Sequence, residues 1–145
     1  AGAVSSLHYA YANTANDVLD MGGKDLLDYV LENGGIEGES GNPGYSTKIK
    51  GVINMAGSLH SAELLDGNEP VLISVHGDKD IVVPYMSGTT GETVVVTEGS
   101  GLIHEKAEKL GLINELITIS GAGHDARFLC DECLNQIRQF IFKSL

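Results

Sequence analysis

The feature that most constrains the fold is an apolar run, "PVLISVH" at 70–76, that ends in a histidine. A short continuous run of this kind is typical of a β-strand that is covered on both faces. The segments "KIKGVINMAG" at 48–57 and "NELITIS" at 114–120 also predict strands. A sheet covered on both faces needs helices above and below it. The run therefore favours an α/β fold.

Helical patterns separate the predicted strands. Residues 3–13 carry small and apolar side chains at helical spacing, and they predict a largely buried helix. "GSGLIHEKAEKLG" predicts a helix that begins near Ser100 and ends at Gly111, and a final helix is predicted from about Asp125. This alternation of helices and strands predicts a mostly parallel sheet flanked by helices.

Two segments are less regular. Residues 13–47 are rich in Gly, Asn, Asp and Ser, and they predict an excursion over the surface that contains one short amphipathic helix, "KDLLDYVLE", ended by "NGG". "GETVVVTEG" at 91–99 is β-rich and bounded by glycines, which predicts a short edge strand or a hairpin arm. A chain of 145 residues suits one domain, 1–145.

The charge balance excludes two classes of partner. Nine basic side chains stand against twenty acidic ones, and the formal net charge of −11 repels nucleic acid and anionic membranes. The chain has no apolar run near the ~20 residues of a membrane span. We therefore expect neither nucleic acid nor a membrane as a partner. The opening "AGAVSSLHYAYAN" does not resemble a signal peptide, so the compartment is left open.

The two cysteines, Cys130 and Cys133, form a C-x-x-C pattern in "FLCDECLNQIRQFIF". On a continuous helix, both thiols lie in or beside the apolar stripe that contains Leu134, Ile137 and Ile141. A zinc site would need two more ligands at comparable spacing. We therefore predict that both thiols pack in the core, with a disulfide or a metal site as the less favoured readings.

Two predicted strands end in ionisable residues, the first in "HGDKD" and the second in "GAGHD". In a parallel sheet both ends lie at the same edge, so Asp80 and His124 can meet. An acid beside a histidine holds the imidazole in one tautomer, as a general base for a serine nucleophile requires. The strand ends therefore predict an acid–histidine pair.

The same segments resemble the α/β-hydrolase superfamily of serine esterases and peptidases. "HGDKDIVVPY" resembles its acid segment, His-Gly-x-x-Asp-x-x-Val-Pro, and "GAGH" resembles its histidine loop. "AGAVSSLHYAYAN" is similar to the residues that follow the nucleophile in G-x-S-A-G-A elbows, which would place the serine immediately before Ala1. The resemblance covers nearly the whole chain, as the C-terminal half of that fold.

The resemblance implies an activity and a set of roles. Asp80 would be the triad acid, His124 the general base, and the backbone N–H of Ala1 an oxyanion donor. The substrate would be a small or polymeric carboxylic ester, although peptidases share these motifs. No metal or organic cofactor is implied. The partner would be the N-terminal half of the same fold, as a missing segment or a separate chain.

Several alternatives stand beside this interpretation. Asp78 is the competing acid, but the family pattern places the acid four residues after His76, which itself is predicted to be an ordered turn residue. Ser40 in "GESGN" is near the G-x-S-x-G pattern, but a helix end and glycines precede it, where the elbow needs a buried strand. We assign no role to the remaining histidines, which are His8, His60 and His104.

Two other interpretations of the chain differ from a complete hydrolase. "GAGHDA" fits the G-x-G-x-x-A dinucleotide pattern, but a Rossmann unit needs a further strand and acid, and residues 125–145 are predicted to form a single helix. The rival from another class is a non-catalytic fragment or partner subunit that has no activity of its own.

Overall fold

The computed structural model describes residues 1–39, 44–90, 94–125 and 130–145. The helices are α1 (Gly2–Tyr11), α2 (Ala15–Glu32), α3 (Ser100–Leu110) and α4 (Cys133–Ser144). The strands are β1 (Gly51–Met55), β2 (Ser58–Leu59), β3 (Val71–Gly77), β4 (Ser87–Thr89), β5 (Val96–Gly99) and β6 (Asn114–Ile119). None of the described helices is long and apolar enough to cross a bilayer.

The centre of the fold is a parallel sheet in the order β1-β3-β6. β3 is the middle strand, and six of its seven residues are buried, as the apolar run predicted. Helices flank the sheet, so the predicted α/β class and parallel sheet are confirmed. Whether 1–145 is part of a single domain of a larger hydrolase stays a prediction.

A second, antiparallel sheet lies beside the first, in the order β2-β5-β4. β4 and β5 form a hairpin, so the hairpin arm predicted within 91–99 is present, although residues 91–93 lie outside the described part. β5 is the middle strand of this small sheet, so the alternative prediction of an edge strand is wrong. β5 leads directly into α3, whose first residue, Ser100, is fully buried.

Two apolar clusters cover the sheet. The first joins α1 and α3 to the strands, and its most buried members are Leu7, Tyr11, Leu59, Ile103 and Ala107. A largely buried first helix was the wrong prediction, since only one face of α1, with Leu7, Ala10 and Tyr11, is buried and Tyr9 is 59% exposed. The second cluster joins β3 to α4 and consists of Ile73, Val75, Cys133, Ile137 and Phe140.

The excursion at 13–47 contains a longer helix than the sequence predicted. α2 begins at a capping box, in which Thr14 and Asp17 exchange side-chain and backbone hydrogen bonds, and it continues through a kink at Gly23 (φ 69°). Glycine reaches this conformation without steric cost, which joins two short helices into one. Val18 is the one buried residue of α2, so α2 lies on the surface as expected.

The final helix and its cysteines require a correction. α4 begins at Cys133, whereas Asp125 lies in the short turn that carries His124. Cys130 therefore precedes the helix, and the 100° spacing that placed both thiols on one stripe does not apply between them. The two form a disulfide with their Cα atoms 5.3 Å apart, within bonding reach. Cys133 still packs in the second cluster, but free core thiols were the wrong prediction.

Candidate active site

The ends of β3 and β6 are tied together by their loops. Lys79 donates its backbone N–H to the carbonyl of Ala122 at 3.0 Å, and the Asp78 carboxylate accepts from the N–H of Gly121 at 2.7 Å. A Cβ at Gly77 would collide with the backbone oxygens of the facing loop. Glycine at this position therefore lets the loop that carries His124 come close to the end of β3.

Asp80 and His124 are in direct contact at this edge. Asp80 Oδ2 lies 2.7 Å from Nδ1 of His124, although 44 positions separate them in the chain. The other carboxylate oxygen, Oδ1, accepts from the backbone N–H groups of Val82 at 2.8 Å and Val83 at 3.0 Å. The predicted contact between acid and histidine is confirmed, and their catalytic roles stay a prediction.

These hydrogen bonds keep Asp80 ionised. Its side chain is completely buried, which by itself raises the pKa of a carboxyl group. The donors from Val83, His124 and Val82 outweigh that effect, and the pKa of Asp80 lies below its ordinary value. A buried carboxylate with its lone pairs occupied is a fixed negative charge beside the His124 ring.

The contact defines the tautomer of His124. A carboxylate can only accept, so Nδ1 of His124 carries the hydrogen, and in the neutral ring Nε2 is the basic nitrogen. The side chain of His124 is 30% exposed, so the ring is within reach of a molecule that binds at this edge. The arrangement can take up a proton at Nε2 and stabilise the resulting imidazolium.

A cavity of about 230 Å3 joins this histidine to the start of α1. The first N–H groups of a helix have no partner within the helix and carry a partial positive charge. The lining residues are Ala1, Gly2, Ala3, Val4, Met55, Ala56, Val83 and His124. Ala1 thus lies at the same cavity as His124, and its role as an oxyanion donor stays a prediction.

One wall of the cavity has an unusual backbone. Ala56 is the one non-glycine residue of the described chain with a positive φ, 55°, and it follows β1 directly. Its N–H donates to the carbonyl of Val75 at 2.9 Å, which holds the end of β1 against β3. Such conformations cost about 1 to 3 kcal/mol and cluster at functional sites.

The sequence interpretation missed a buried polar chain behind the acid. His76, predicted to be a turn residue, is in β3 and fully buried, with its ring between Asp80 and Ser100. Ser100 in turn contacts Asn54 of β1. The sequence did contain a signal for this polar chain. Ser74 and His76 are two residues apart and so lie on the same face of an otherwise apolar strand, and Asn54 pairs in register with Ser74.

The competing candidates are placed elsewhere. Asp78 accepts from the hydroxyl of Ser120 and from the backbone N–H of Gly121 in the His124 loop, and does not touch the imidazole. Ser40 lies outside the described residues. Residues 121–125 of the dinucleotide pattern follow β6 and the last one, 126, lies outside the described residues; no strand is present among residues 130–145. In the described ranges no three His, Cys, Asp or Glu side chains are grouped so that they could hold a metal.

A comparison with solved structures finds a remote likeness. No protein-family model matches the chain, and no curated protein matches it. A solved structure, described as a truncated form of a carbohydrate esterase from gut microbiota, is similar over 57% of this chain at 19% identity and a TM-score of 0.43. The chain covers 25% of that structure. A likeness of this size assigns the chain to no family.

Proposed function

We propose that this chain is the acid–base half of a serine hydrolase that cleaves carboxylic esters. The observation that carries the proposal is the contact of 2.7 Å between Asp80 and His124, at one edge of a parallel sheet and beside the N-terminus of a helix. An ionised buried acid that holds the Nδ1–H tautomer of a partly exposed histidine is the arrangement that activates a serine.

In the proposed reaction, Nε2 of His124 takes the proton from the serine hydroxyl as its oxygen attacks the ester carbonyl. Asp80 keeps the ring oriented and stabilises the imidazolium, which then protonates the leaving alcohol. Water, deprotonated by the same nitrogen, attacks the acyl-enzyme, and the imidazolium returns the proton to the serine oxygen as the acid leaves. The backbone N–H of Ala1 is the proposed donor to the oxyanion that forms in both steps.

The nucleophile is proposed to stand immediately before Ala1. A nucleophile and its base approach to about 3 Å, and neighbouring Cα atoms lie about 3.8 Å apart. A serine in that position would open into the cavity that Ala1 shares with His124. In the same position, the oxyanion of the tetrahedral intermediate that forms on the serine would face the unpaired N–H groups at the start of α1.

The partner is proposed to be the other half of the same fold. β1 pairs with β3 on one side only, among the described residues, and Ile53 of β1 is 44% exposed. A groove of about 480 Å3 runs between β1 and α1. Unpaired strand edges favour a further strand. We propose that the strand leading to the serine pairs with β1, from a preceding segment or a second chain.

A fluorophosphonate probe tests this proposal in the protein as isolated from its source. The probe bonds covalently to an activated serine, and peptide mass mapping then locates the adduct. We expect one adduct, on a serine directly followed by the sequence "AGAVSS", and an intact mass above 15.3 kDa or a second chain. An adduct on Ser40, or no adduct on material that is folded, would contradict the proposed nucleophile and favour the non-catalytic reading.

A further inference from the structure

A continuous chain of buried hydrogen bonds runs from Asp80 into the core. Nε2 of His76 lies 3.2 Å from Oδ2 of Asp80, and Nδ1 of His76 lies 2.7 Å from Oγ of Ser100. Ser100 Oγ is also 2.9 Å from Nδ2 of Asn54, which reaches Ser74 Oγ at 3.0 Å. His76, Ser100 and Asn54 are each fully buried, so no solvent competes for these bonds.

The donors and acceptors of this chain can be assigned from its two ends. At one end, Nε2 of His76 faces two groups that only accept, the Asp80 carboxylate and the carbonyl of Val83, each at 3.2 Å. Nε2 therefore carries the hydrogen of the neutral ring, and Nδ1 accepts from the Ser100 hydroxyl. Each hydrogen bond of this series between Asn54 and Asp80 is therefore donated in the direction of Asp80.

The other end is anchored on the backbone. Oδ1 of Asn54 accepts from the N–H of Gly57 at 2.8 Å, which leaves the amide NH2 as the donor to Ser100 and Ser74. Asn54 is in β1, His76 is in β3 and Ser100 begins α3. The three elements are therefore joined through side chains at the same edge that carries the acid.

The protonation state of His76 agrees with this assignment. Burial lowers the pKa of His76, and the Val83 carbonyl and the Asp80 carboxylate only partly offset it. A doubly protonated ring would also lose its acceptor for the Ser100 hydroxyl. Asp80 is thus held by two histidines on one oxygen, and only the outer one, His124, is reached by solvent.

We propose that His76 is a positioning residue that fixes the Asp80 oxygen to which His124 binds, as a neutral donor held in place by Ser100 and Asn54. The inference rests on the proposed roles of Asp80 and His124. His76 does not touch the reacting atoms, and it acts by restricting the carboxylate. With that bond removed, the carboxylate is held by the two N–H donors on Oδ1 and, among the described residues, by His124 alone on Oδ2, so Oδ2 is less restricted and the Nδ1–H of His124 opens more often.

Two matched substitutions isolate the bond to Asp80. The amide nitrogen of Gln lies as many bonds from Cβ as Nε2 of His76, so His76→Gln can still donate to Asp80. The amide of Asn ends at the level of Nδ1, so His76→Asn can still meet Ser100 but not Asp80. Both variants place a neutral amide in the same buried position, which makes each the control for the other.

Nitrogen-15 NMR of the histidine rings gives the readout, without turnover. In the wild type we expect His76 to be protonated at Nε2 alone throughout the range in which histidine titrates. We expect the Nδ1–H of His124 to exchange with water about tenfold to a hundredfold faster in His76→Asn, the range of a hydrogen bond to a charged group. In His76→Gln the exchange should stay near that of the wild type.

The outcomes separate this inference from the proposed hydrolase. Equal exchange in a folded His76→Asn and the wild type would overturn the positioning role. If that variant does not fold, the wild-type spectrum still decides, since a His76 ring protonated at Nδ1 would contradict the assignment. If the protein proves not to be a hydrolase, both NMR results still test the bond between His76 and Asp80, because neither depends on turnover. In the active enzyme, His76→Asn should lower kcat with KM unchanged.

Discussion

Asp78 and Asp80 stand two residues apart in one turn, and their carboxylates bind different parts of the same loop. Asp78 Oδ1 accepts from the backbone N–H of Gly121 at 2.7 Å, whereas Asp80 Oδ2 accepts from the ring of His124 at 2.7 Å. One acid thus holds the loop in place, and the other orients the side chain that the loop presents.

This division predicts a structural effect for the first acid. Asp78→Ala removes the acceptor of the Gly121 N–H, and we expect the free energy of unfolding to fall by about 1 to 2 kcal/mol. Turnover of the active enzyme should stay within about tenfold of the wild type, because the Asp80–His124 contact is untouched. Urea unfolding and ester hydrolysis measure the two effects. A stable variant with abolished turnover would instead make Asp78 the catalytic acid.

The sequence was sufficient to predict the parallel sheet and a contact between an acid after β3 and His124, whereas the choice of Asp80 over Asp78 came from the resemblance to the hydrolase acid segment. The sheet and the contact both follow from one rule, that parallel strands end at the same edge, together with two strands that have ionisable residues at their ends. β3 was found because four of its first five residues are apolar, and α3 because Ser100 and Gly111 mark its ends.

Other features depend on tertiary contacts that one-dimensional patterns do not contain. His76 looked like a turn residue because the partner of its Nδ1, Ser100, lies 24 positions away in the chain. The cysteine interpretation failed because it assumed a helix through Cys130, and the helix begins three residues later. The sequence predicted only the second part of α2, because the kink at Gly23, which joins it to the first part, interrupts the helical pattern.

Reduction of the disulfide gives a second prediction. The bond between Cys130 and Cys133 closes a loop of four residues, for which the loop-closure relation gives about 2 kcal/mol. We expect dithiothreitol to lower the urea midpoint of the wild type and to leave that of Cys130→Ala unchanged. Ellman titration of the unreduced protein should detect no free thiol. Two titratable thiols in freshly isolated protein would contradict the bond.

A pH-dependent prediction concerns Glu69, which is remote from the site. Its carboxylate accepts from Asn13 and from the N–H of Asp66, and partial burial, with the Asp66 charge, raises its pKa to about 7. Between its unfolded and folded pKa values only the folded state holds the proton, so this group makes the protein less stable as pH rises.

Glu69→Gln removes that titration and keeps an acceptor for Asn13. We expect the variant to be more stable than the wild type at about pH 8 and equal to it at about pH 4, below both pKa values of the carboxyl group. The lowered pKa of His76 makes the protein more stable as pH rises, and this contribution cancels when the variant and the wild type are compared at the same pH. Urea unfolding at the two pH values is the measurement, and an equal difference at both would contradict the raised pKa.

Residues 1–145 alone provide a test of the nucleophile. On the proposed function they contain the base and the acid without the serine, so we expect no hydrolysis of p-nitrophenyl esters above the buffer rate, whatever the acyl length. Ser40→Ala is the matched variant and should change nothing. Turnover that disappears in Ser40→Ala, with the far-ultraviolet circular dichroism preserved, would make Ser40 the nucleophile.

The central claim is that Asp80 serves catalysis by holding His124, and the kcat of Asp80→Asn in the active enzyme tests it most directly. Asn keeps the shape and the acceptor for Val82 and Val83, but it favours the wrong tautomer of the imidazole, which typically lowers kcat about 10⁴-fold. We predict that loss with the fold preserved, as judged by urea unfolding. A folded Asp80→Asn that retains more than about a tenth of wild-type kcat would contradict the account.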